Sequence, residues 1–371
     1  MKKRVAVIIP GGIGSGLFNQ GIPALVNLID GLSKEFDITV YSLVAISPEF
    51  KTDKYQIKAI NASFEDWTVG RVIRLTRMIL KDHRKKKYNL FHGFWGIPCG
   101  TMAVMLGKLF KRPSIVSLQG GEAANVPSIN YGYLINEKKA KRLHRTLRAA
   151  TKVTALTKFQ RDLLVNHGFD NIEFEVIPYG VDTSLFKSSS KSYEEPINFI
   201  HVANLTEVKD QATMLRTFRK LKVQIDCRLF IIGEDGMDGK IQNLSRDLGI
   251  VDDVELVGYI PNEQLPEYFA RAQIMLHTSL YEAQTVSVVE AMASKILVAG
   301  TEAGIMSDLE QFFITAPFGD YEQLATKIID TLARPELTNA KLDQALTWAE
   351  RYDINTTVSN FNNLYNQLME Q

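Results

Sequence analysis

Short apolar runs alternate along this chain with longer stretches of helical period. Val5-Ala-Val-Ile-Ile9 is continuously apolar, as in a parallel strand buried on both faces. The chain breaks at Gly11-Gly12-Ile-Gly14-Ser-Gly16 and resumes with Leu25, Leu28, Ile29 and Leu32 at helical spacing. The pattern then repeats, predicting strands over 38–43, 88–92, 115–118 and 152–156 and helices over 69–80 and 138–148. Residues 187–196 are polar, rich in Ser and Lys and aperiodic, which reads as a linker. Apolar runs restart at 197–202, 228–232, 254–257, 274–277 and 296–299. Two sets of alternating strands and helices predict an α/β protein of two parallel-sheet domains, 1–186 and 197–347. A final amphipathic helix is expected over 348–371, with Phe361, Leu364 and Leu368 on its apolar face.

A length of 371 residues suits two or three domains, each with its own core. Cys99 and Cys227 stand far apart in apolar contexts, so a reduced, cytoplasmic protein without a disulfide framework is the simple expectation. Lys2-Lys3-Arg4 before the first apolar run resembles a secretory leader, but the run ends too soon at Pro10. No apolar stretch approaches the roughly eighteen residues of a membrane span. The near-zero net charge hides an asymmetry: residues 1–187 carry 28 Lys+Arg against 15 Asp+Glu, and 188–371 carry 15 against 27. The basic half suits an anionic lipid surface, hence peripheral attachment at the inner face of a membrane, or a phosphorylated acceptor; a merely solvated basic face is the alternative.

The candidate chemistry centres on Ser279-Leu-Tyr-Glu282-Ala-Gln-Thr-Val-Ser-Val-Val-Glu290-Ala-Met-Ala293, which follows a buried strand and turns into a helix pattern. If the helix begins near Glu282, eight steps of rise put Glu282 and Glu290 about 12 Å apart along its axis. The unpaired amides of its first turn, Ala283, Gln284 and Thr285, would form an anion cradle between two hydroxyl acceptors. The glycine loop after the first strand is a second phosphate-cradling context, at Gly12 and Gly14. Its spacing does not match the Gly-x-Gly-x-x-Gly dinucleotide fingerprint, which argues against a nicotinamide or flavin. His92 at a strand edge and Gln119-Gly120-Gly121-Glu122 after the next strand fall where open parallel sheets bind ligands. Asp235-Gly-Met-Asp238 reads as a polar turn, and no metal set is expected.

These residues resemble the GT4-type retaining glycosyltransferases of the GT-B fold. The resemblance is carried by Glu282-x7-Glu290 with its Glu-Ala-Met-Ala ending, by Pro178-Tyr-Gly180-Val-Asp-Thr-Ser-Leu-Phe186, and by Asn204-Leu-Thr-Glu-Val-Lys209. Val257-Gly-Tyr259-Ile-Pro261 and Thr301 to Leu309 add to it. It implies two Rossmann-like domains facing a cleft, with the last helix crossing back to the first domain. It implies a UDP- or GDP-sugar donor, a saccharide or lipid-linked saccharide acceptor, neither metal nor cofactor, and no nucleic-acid partner. A place in bacterial cell-surface polysaccharide or glycoconjugate synthesis follows by analogy.

Residue by residue, Lys209 would contact the donor diphosphate, Tyr259 the nucleobase, Glu290 the ribose and Glu282 a sugar hydroxyl. Gly12 would lie near the diphosphate and His92 near the reacting carbon, with Gly14, Gln119, Gly120 and Glu122 on the acceptor side. Asn204 stands where many members carry arginine, and Gln119 where many carry histidine. Two alternatives stay open: a sugar-nucleotide epimerase, which the same fold and phosphate logic would serve, and a non-catalytic sugar-nucleotide or polysaccharide binder, which those departures favour a little.

Overall fold

The computed structural model describes residues 2–16, 21–63, 68–187 and 191–370. Residues 188–190 of the expected linker lie outside that set. The chain divides into two compact units, the first of residues 1–125, 132–179 and 354–371 and the second of 126–131 and 180–353.

The first unit opens with β1 (Arg4–Ile9), α1 (Pro23–Ser33), β2 (Asp37–Ser42) and β3 (Gln56–Ala59). It continues with α2 (Val69–Lys85), β4 (Leu90–Phe94), α3 (Thr101–Phe110), β5 (Ser114–Ser117) and α4 (Glu137–Arg148). It closes with β6 (Lys152–Ala155), α5 (Lys158–Leu164) and β7 (Phe174–Val176). The strands form one parallel sheet in the order β3-β2-β1-β4-β5-β6-β7. The strand order reverses between β1 and β4, where loops from the two strand ends part and leave room for a ligand. Ile8, Tyr41 and Phe91 pack with Leu75 and Ile79 of α2 and Leu106 of α3 on one face of the sheet.

The second unit runs β8 (Ile197–Val202), α6 (Gln211–Lys222), β9 (Cys227–Ile232), α7 (Lys240–Asp247), β10 (Val254–Gly258) and α8 (Leu265–Arg271). Then come β11 (Ile274–His277), α9 (Val286–Ala293), β12 (Leu297–Thr301), α10 (Ile305–Asp308) and β13 (Ile314–Ala316). The helices α11 (Tyr321–Leu332) and α12 (Pro335–Arg351) complete it, and α13 (Ile354–Glu370) belongs to the first unit. The sheet order is β10-β9-β8-β11-β12-β13, again parallel, with its reversal between β8 and β11. Phe199, Phe218 and Leu276 fill one face, and Ile200, Phe230, Val289 and Met292 the other. Each such side chain contributes roughly 2 kcal/mol of burial.

Two boundaries differ from the sequence expectation. Residues 180–186 group with the second unit. Trp348 lies inside α12, stacked on Tyr352 at 4.8 Å, with Ala345 and Ala349 buried in the second core, so the returning helix begins only at Ile354. Strands β3, β7 and β13 escaped the sequence reading because they are three- or four-residue sheet edges, two of them without a fully buried residue.

Candidate functional site

The site in the second unit is built where β8 and β11 end side by side. After β8 the chain makes a single turn, Glu207–Lys209, and Asp210, at φ 45°, then caps α6 by accepting a hydrogen bond from Thr213 N. After β11 the chain is stitched to that turn. Leu280 N donates to Val208 O at 2.8 Å, and the Thr278 hydroxyl donates to Asp210 O at 2.9 Å. These bonds fix Lys209 against the loop carrying Glu282, and its ammonium meets Glu282 Oε1 at 2.5 Å.

Glu282 is almost buried, and two further donors reach the same oxygen: Ser279 Oγ at 2.7 Å and His277 Nε2 at 3.1 Å. Burial alone would raise this carboxyl. The Lys209 charge and the bonds from His277 and Lys209 outweigh it and hold the group well below the usual carboxylate range. All three donors converge on Oε1, and no protein donor among the described residues reaches Oε2. That oxygen keeps its full accepting capacity.

A carboxylate only accepts, so His277 Nε2 carries the proton, and the buried Nδ1 is without a partner among the described residues. His201 lies behind it, with ring centroids 6.2 Å apart. His201 donates from Nδ1 to Leu276 O at 2.8 Å, and burial pushes its pKa down to about 3, so it is a neutral structural group. Sequence reasoning passed over His277, Ser279 and His201. His277 read only as the end of a strand.

The helix after this loop starts later than expected. Thr285 is the residue before α9, at φ 83°, so Ala283, Gln284 and Thr285 belong to the approach loop and the first helical residue is Val286. A β-branched residue with positive φ is strained, and such strain persists only where the surroundings over-determine it. The helical 12 Å estimate between the two carboxylates therefore does not apply, because only half of the intervening chain is helical. The loop is braced from behind: Ile305 N donates to Gln284 O at 2.9 Å, next to Gly304 at φ 60°.

Glu290 sits in the body of α9 and is buried, not solvated. Its Oε1 accepts from Asn262 Nδ2 at 3.1 Å. Burial pushes its pKa up to about 7 against that single neutral donor. Asn262 was missed by the sequence reading; it follows Pro261 on the turn after β10. Tyr259, on the same turn, is half-buried. Asn204 is exposed, and its Oδ1 accepts from Glu234 N at 3.1 Å, bracing the neighbouring loop.

The first-unit candidates fare differently. Gly12 (φ 92°) and Gly14 (φ 56°) are buried in the loop after β1, and a Cβ on Gly14 would lie 2.5 Å from the Phe50 ring. That contact sets the loop against a cavity of about 560 Å³ lined by Ile46, Phe50, Lys51, Tyr55, Ile57 and Asn61. Gln119 accepts from the Tyr179 hydroxyl at 2.8 Å and, like Gly120, is half-buried.

His92 and Glu122 are corrections. His92 is in mid-strand and fully buried, with Nδ1 bonded to the Tyr365 hydroxyl at 2.6 Å and Nε2 to Ser117 Oγ at 2.7 Å. Neither nitrogen is left for a substrate, and burial lowers its pKa to about 3. Glu122 is also buried, receiving Gly120 N at 2.7 Å and Gly96 N at 3.1 Å, so it holds two loops together instead of facing an acceptor. Among the described residues no three His, Cys, Asp or Glu side chains are grouped as a metal site requires, and no helix is long and apolar enough to cross a membrane.

Two parallel-sheet units of this order, the second with a cation and a buried carboxylate meeting at its switch point, make up the two-domain GT-B architecture, whose sheets leave room for a ligand beyond their strand ends. Residues 24–185 match the family model for glycosyltransferase family 4 and residues 182–346 that for glycosyl transferases group 1. The chain belongs to this glycosyltransferase family. It is 26% identical over 196 residues to the MMP alpha-(1->4)-mannosyltransferase of Mycolicibacterium hassiacum, covering 53% of this chain and 45% of that protein. The chain spans about half the length of several curated relatives that it matches. Two solved structures share the fold throughout. Sucrose-phosphate synthase from Thermosynechococcus elongatus has a TM-score of 0.85 at 16% identity, covering 100% of both chains. Anabaena HepE in complex with UDP-glucose has a TM-score of 0.76 at 16% identity, covering 98% of this chain and 100% of that one.

Proposed function

We propose that this protein is a retaining glycosyltransferase that moves a sugar from a nucleotide-sugar donor to an acceptor hydroxyl. The observation that carries the reading is the Lys209–Glu282 pair at the β8/β11 reversal, with one carboxylate oxygen left open. Lys209 would meet the donor diphosphate, Glu282 Oε2 a sugar hydroxyl, and Glu290 with Asn262 the ribose diol. Tyr259 would line the base. UDP is the nucleotide favoured, because the HepE structure of the same fold was obtained with UDP-glucose.

In the reaction, the bond from the anomeric carbon to the departing phosphate oxygen breaks. The acceptor oxygen bonds to the same face of that carbon and passes its proton to the departing phosphate. Negative charge grows on the leaving diphosphate, and Lys209 stabilises it electrostatically where water is scarce. Neither protein carboxylate acts as nucleophile: Lys209, Ser279 and His277 engage one oxygen of Glu282, and Glu290 serves the ribose. The cavity beside Gly14 suits a saccharide or lipid-linked saccharide, its apolar wall against the body of the acceptor and Lys51 and Asn61 toward its polar groups. Products of this kind belong among bacterial cell-surface glycans.

The test is thermal stabilisation by UDP, GDP, ADP and their sugar conjugates, on wild type and Glu290→Ala. One base should stabilise the wild type, by about 2.7 kcal/mol at a hundredfold excess over its dissociation constant, and less so the variant. Stabilisation by none overturns the reading. Donor consumption that needs no acceptor would replace transfer with epimerisation.

A further inference from the structure

We propose that the outer face of α2 and α3 is a docking surface for an anionic lipid bilayer. The two helices lie side by side on one face of the first sheet: His83 of α2 stacks on Phe110 of α3 with centroids 3.8 Å apart. Beneath them Leu75, Ile79 and Leu106 fill the core, so their opposite sides face outward.

That outward face combines two features rarely exposed together. Val69 is 71% exposed, Ile73 47%, Met105 62% and Leu109 64%, although other side chains of these helices are buried. Residues 69–87 also carry eight Lys+Arg against one acid, Asp82; of the eight, Arg71 is buried and Lys86 pairs with Asp37. Asp82 is half-buried and turned to Lys58 and the Tyr41 hydroxyl, so it does not neutralise the face. Arg74, Arg77, Lys81, Arg84, Lys108 and Lys111 have no acidic partner among the described residues.

Aliphatic side chains amid unpaired cations fit the boundary between lipid headgroups and acyl chains. Each cation near an anionic leaflet is worth roughly a fivefold gain in binding, and the apolar groups add burial. A nucleic acid would use the cations but would leave Met105 and Leu109 in water. Aliphatic exposure decides for lipid.

The orientation makes the surface useful. Each crossover helix runs antiparallel to its strands, so the first two turns of α2, with Val69 and Ile73, lie toward the end of this unit that holds the glycine loop and the cavity beside Gly14, and the surface extends along α3 to Leu109 at the other end. Docking there would bring that cavity toward the bilayer, where a lipid-linked acceptor resides. The inference rests on the transferase reading for the identity of that acceptor, but not for the binding itself.

The test is co-flotation of the full chain with phosphatidylcholine vesicles containing about one third phosphatidylglycerol, and with pure phosphatidylcholine. The expected result is binding to the anionic vesicles only, weakened by salt. Met105→Asp with Leu109→Asp should lower it about tenfold, and Arg74→Glu with Arg77→Glu by at least as much. All four positions are exposed, so both variants should keep the wild-type melting temperature and its shift with nucleotide. No vesicle binding, equal binding to both vesicles, or binding indifferent to the Met105/Leu109 variant overturns the proposal. So does RNA binding in place of lipid binding. Failure of flotation with the nucleotide shift intact removes the docking surface alone. Absence of the nucleotide shift with flotation intact removes the transferase reading alone.

Discussion

Lys209 Nζ and Glu282 Oε1, 73 residues apart in the chain, meet at 2.5 Å beside the strand-order reversal of the second sheet. The lysine is more accessible than the carboxylate, with side-chain exposures of 22% and 11%. On the transferase reading, a donor phosphate would recruit the ammonium while Ser279 and His277 continue to hold Glu282. The buried carboxylate depends on the cation. Lys209→Ala should cost roughly 2–3 kcal/mol, below the value for a wholly buried pair because the lysine is partly solvated. It should also lower turnover by about a hundredfold or more. Lys209→Met combined with Glu282→Gln should regain most of the stability and none of the activity. Urea unfolding and sugar transfer, measured on both proteins, check this; a double variant as unstable as the single one would contradict it.

Glu290 predicts a pH dependence of the opposite sign to a salt-bridged carboxylate. Burial raises its pKa from 4.5 to about 7, so the folded protein holds a proton that the unfolded chain releases earlier. Its contribution is fully present below 4.5 and lost as pH rises to about 7. At about 1.4 kcal/mol per pH unit over the shift, the loss reaches roughly 3.5 kcal/mol by pH 8. Glu290→Gln should equal the wild type near pH 4 and exceed it at pH 8. The same variant should bind UDP-glucose more weakly, because an ionised carboxylate accepts ribose hydroxyls better than an amide. Wild-type affinity should rise with pH between 6 and 8, and the variant's should stay flat. Unfolding curves and titration calorimetry at the two ends of the range decide it.

His92 offers a test of position against chemistry. Its two nitrogens join Tyr365 of α13 to Ser117 of β5, so His92→Phe would orphan the buried Tyr365 hydroxyl and leave Ser117 only its bond to Thr154. At about 1–3 kcal/mol for that hydroxyl, a clear drop in melting temperature is expected. The activity of the protein that remains folded should stay within about twofold, since no ring nitrogen is open to a substrate. A large fall in kcat with an unchanged melting temperature would return His92 to the reacting centre.

The strands that frame the site were legible because buried parallel strands are continuous apolar runs, and Val5 to Ile9 and Ile197 to Val202 show this directly. Glu282, Glu290 and Lys209 were legible through their spacing within a resembling pattern. What escaped depends on contacts across the chain. Nothing around His277 announces that Lys209, 68 positions earlier, shares its carboxylate. Nothing around Asn262 announces that it donates to Glu290. The helix start was misjudged because Thr285 takes a positive φ without being glycine, and only the packed surroundings impose that conformation. His92 was misread because the strand runs on past it to Phe94, and the local sequence says nothing of Tyr365, 273 residues later, which closes over it.

Gly304 tests how the loop carrying Glu282 is held. Its φ of 60° and ψ of −129° fall where L-residues rarely go, and a Cβ would lie 2.6 Å from Gln284 O and 2.8 Å from Glu282 Cβ. Gly249 has nearly the same φ, 65°, with open space around its Cβ position. Gly249→Ala should therefore cost only the backbone penalty, about 1–2 kcal/mol. Gly304→Ala adds a collision with backbone and with the side chain that carries the open carboxylate oxygen. It should destabilise by more than the control and raise the donor KM while kcat/KM falls further than folding alone explains. Equal stability losses for the two variants, with an unchanged donor KM, would mean that the loop gives way at Gly304 and that Glu282 is not positioned from behind.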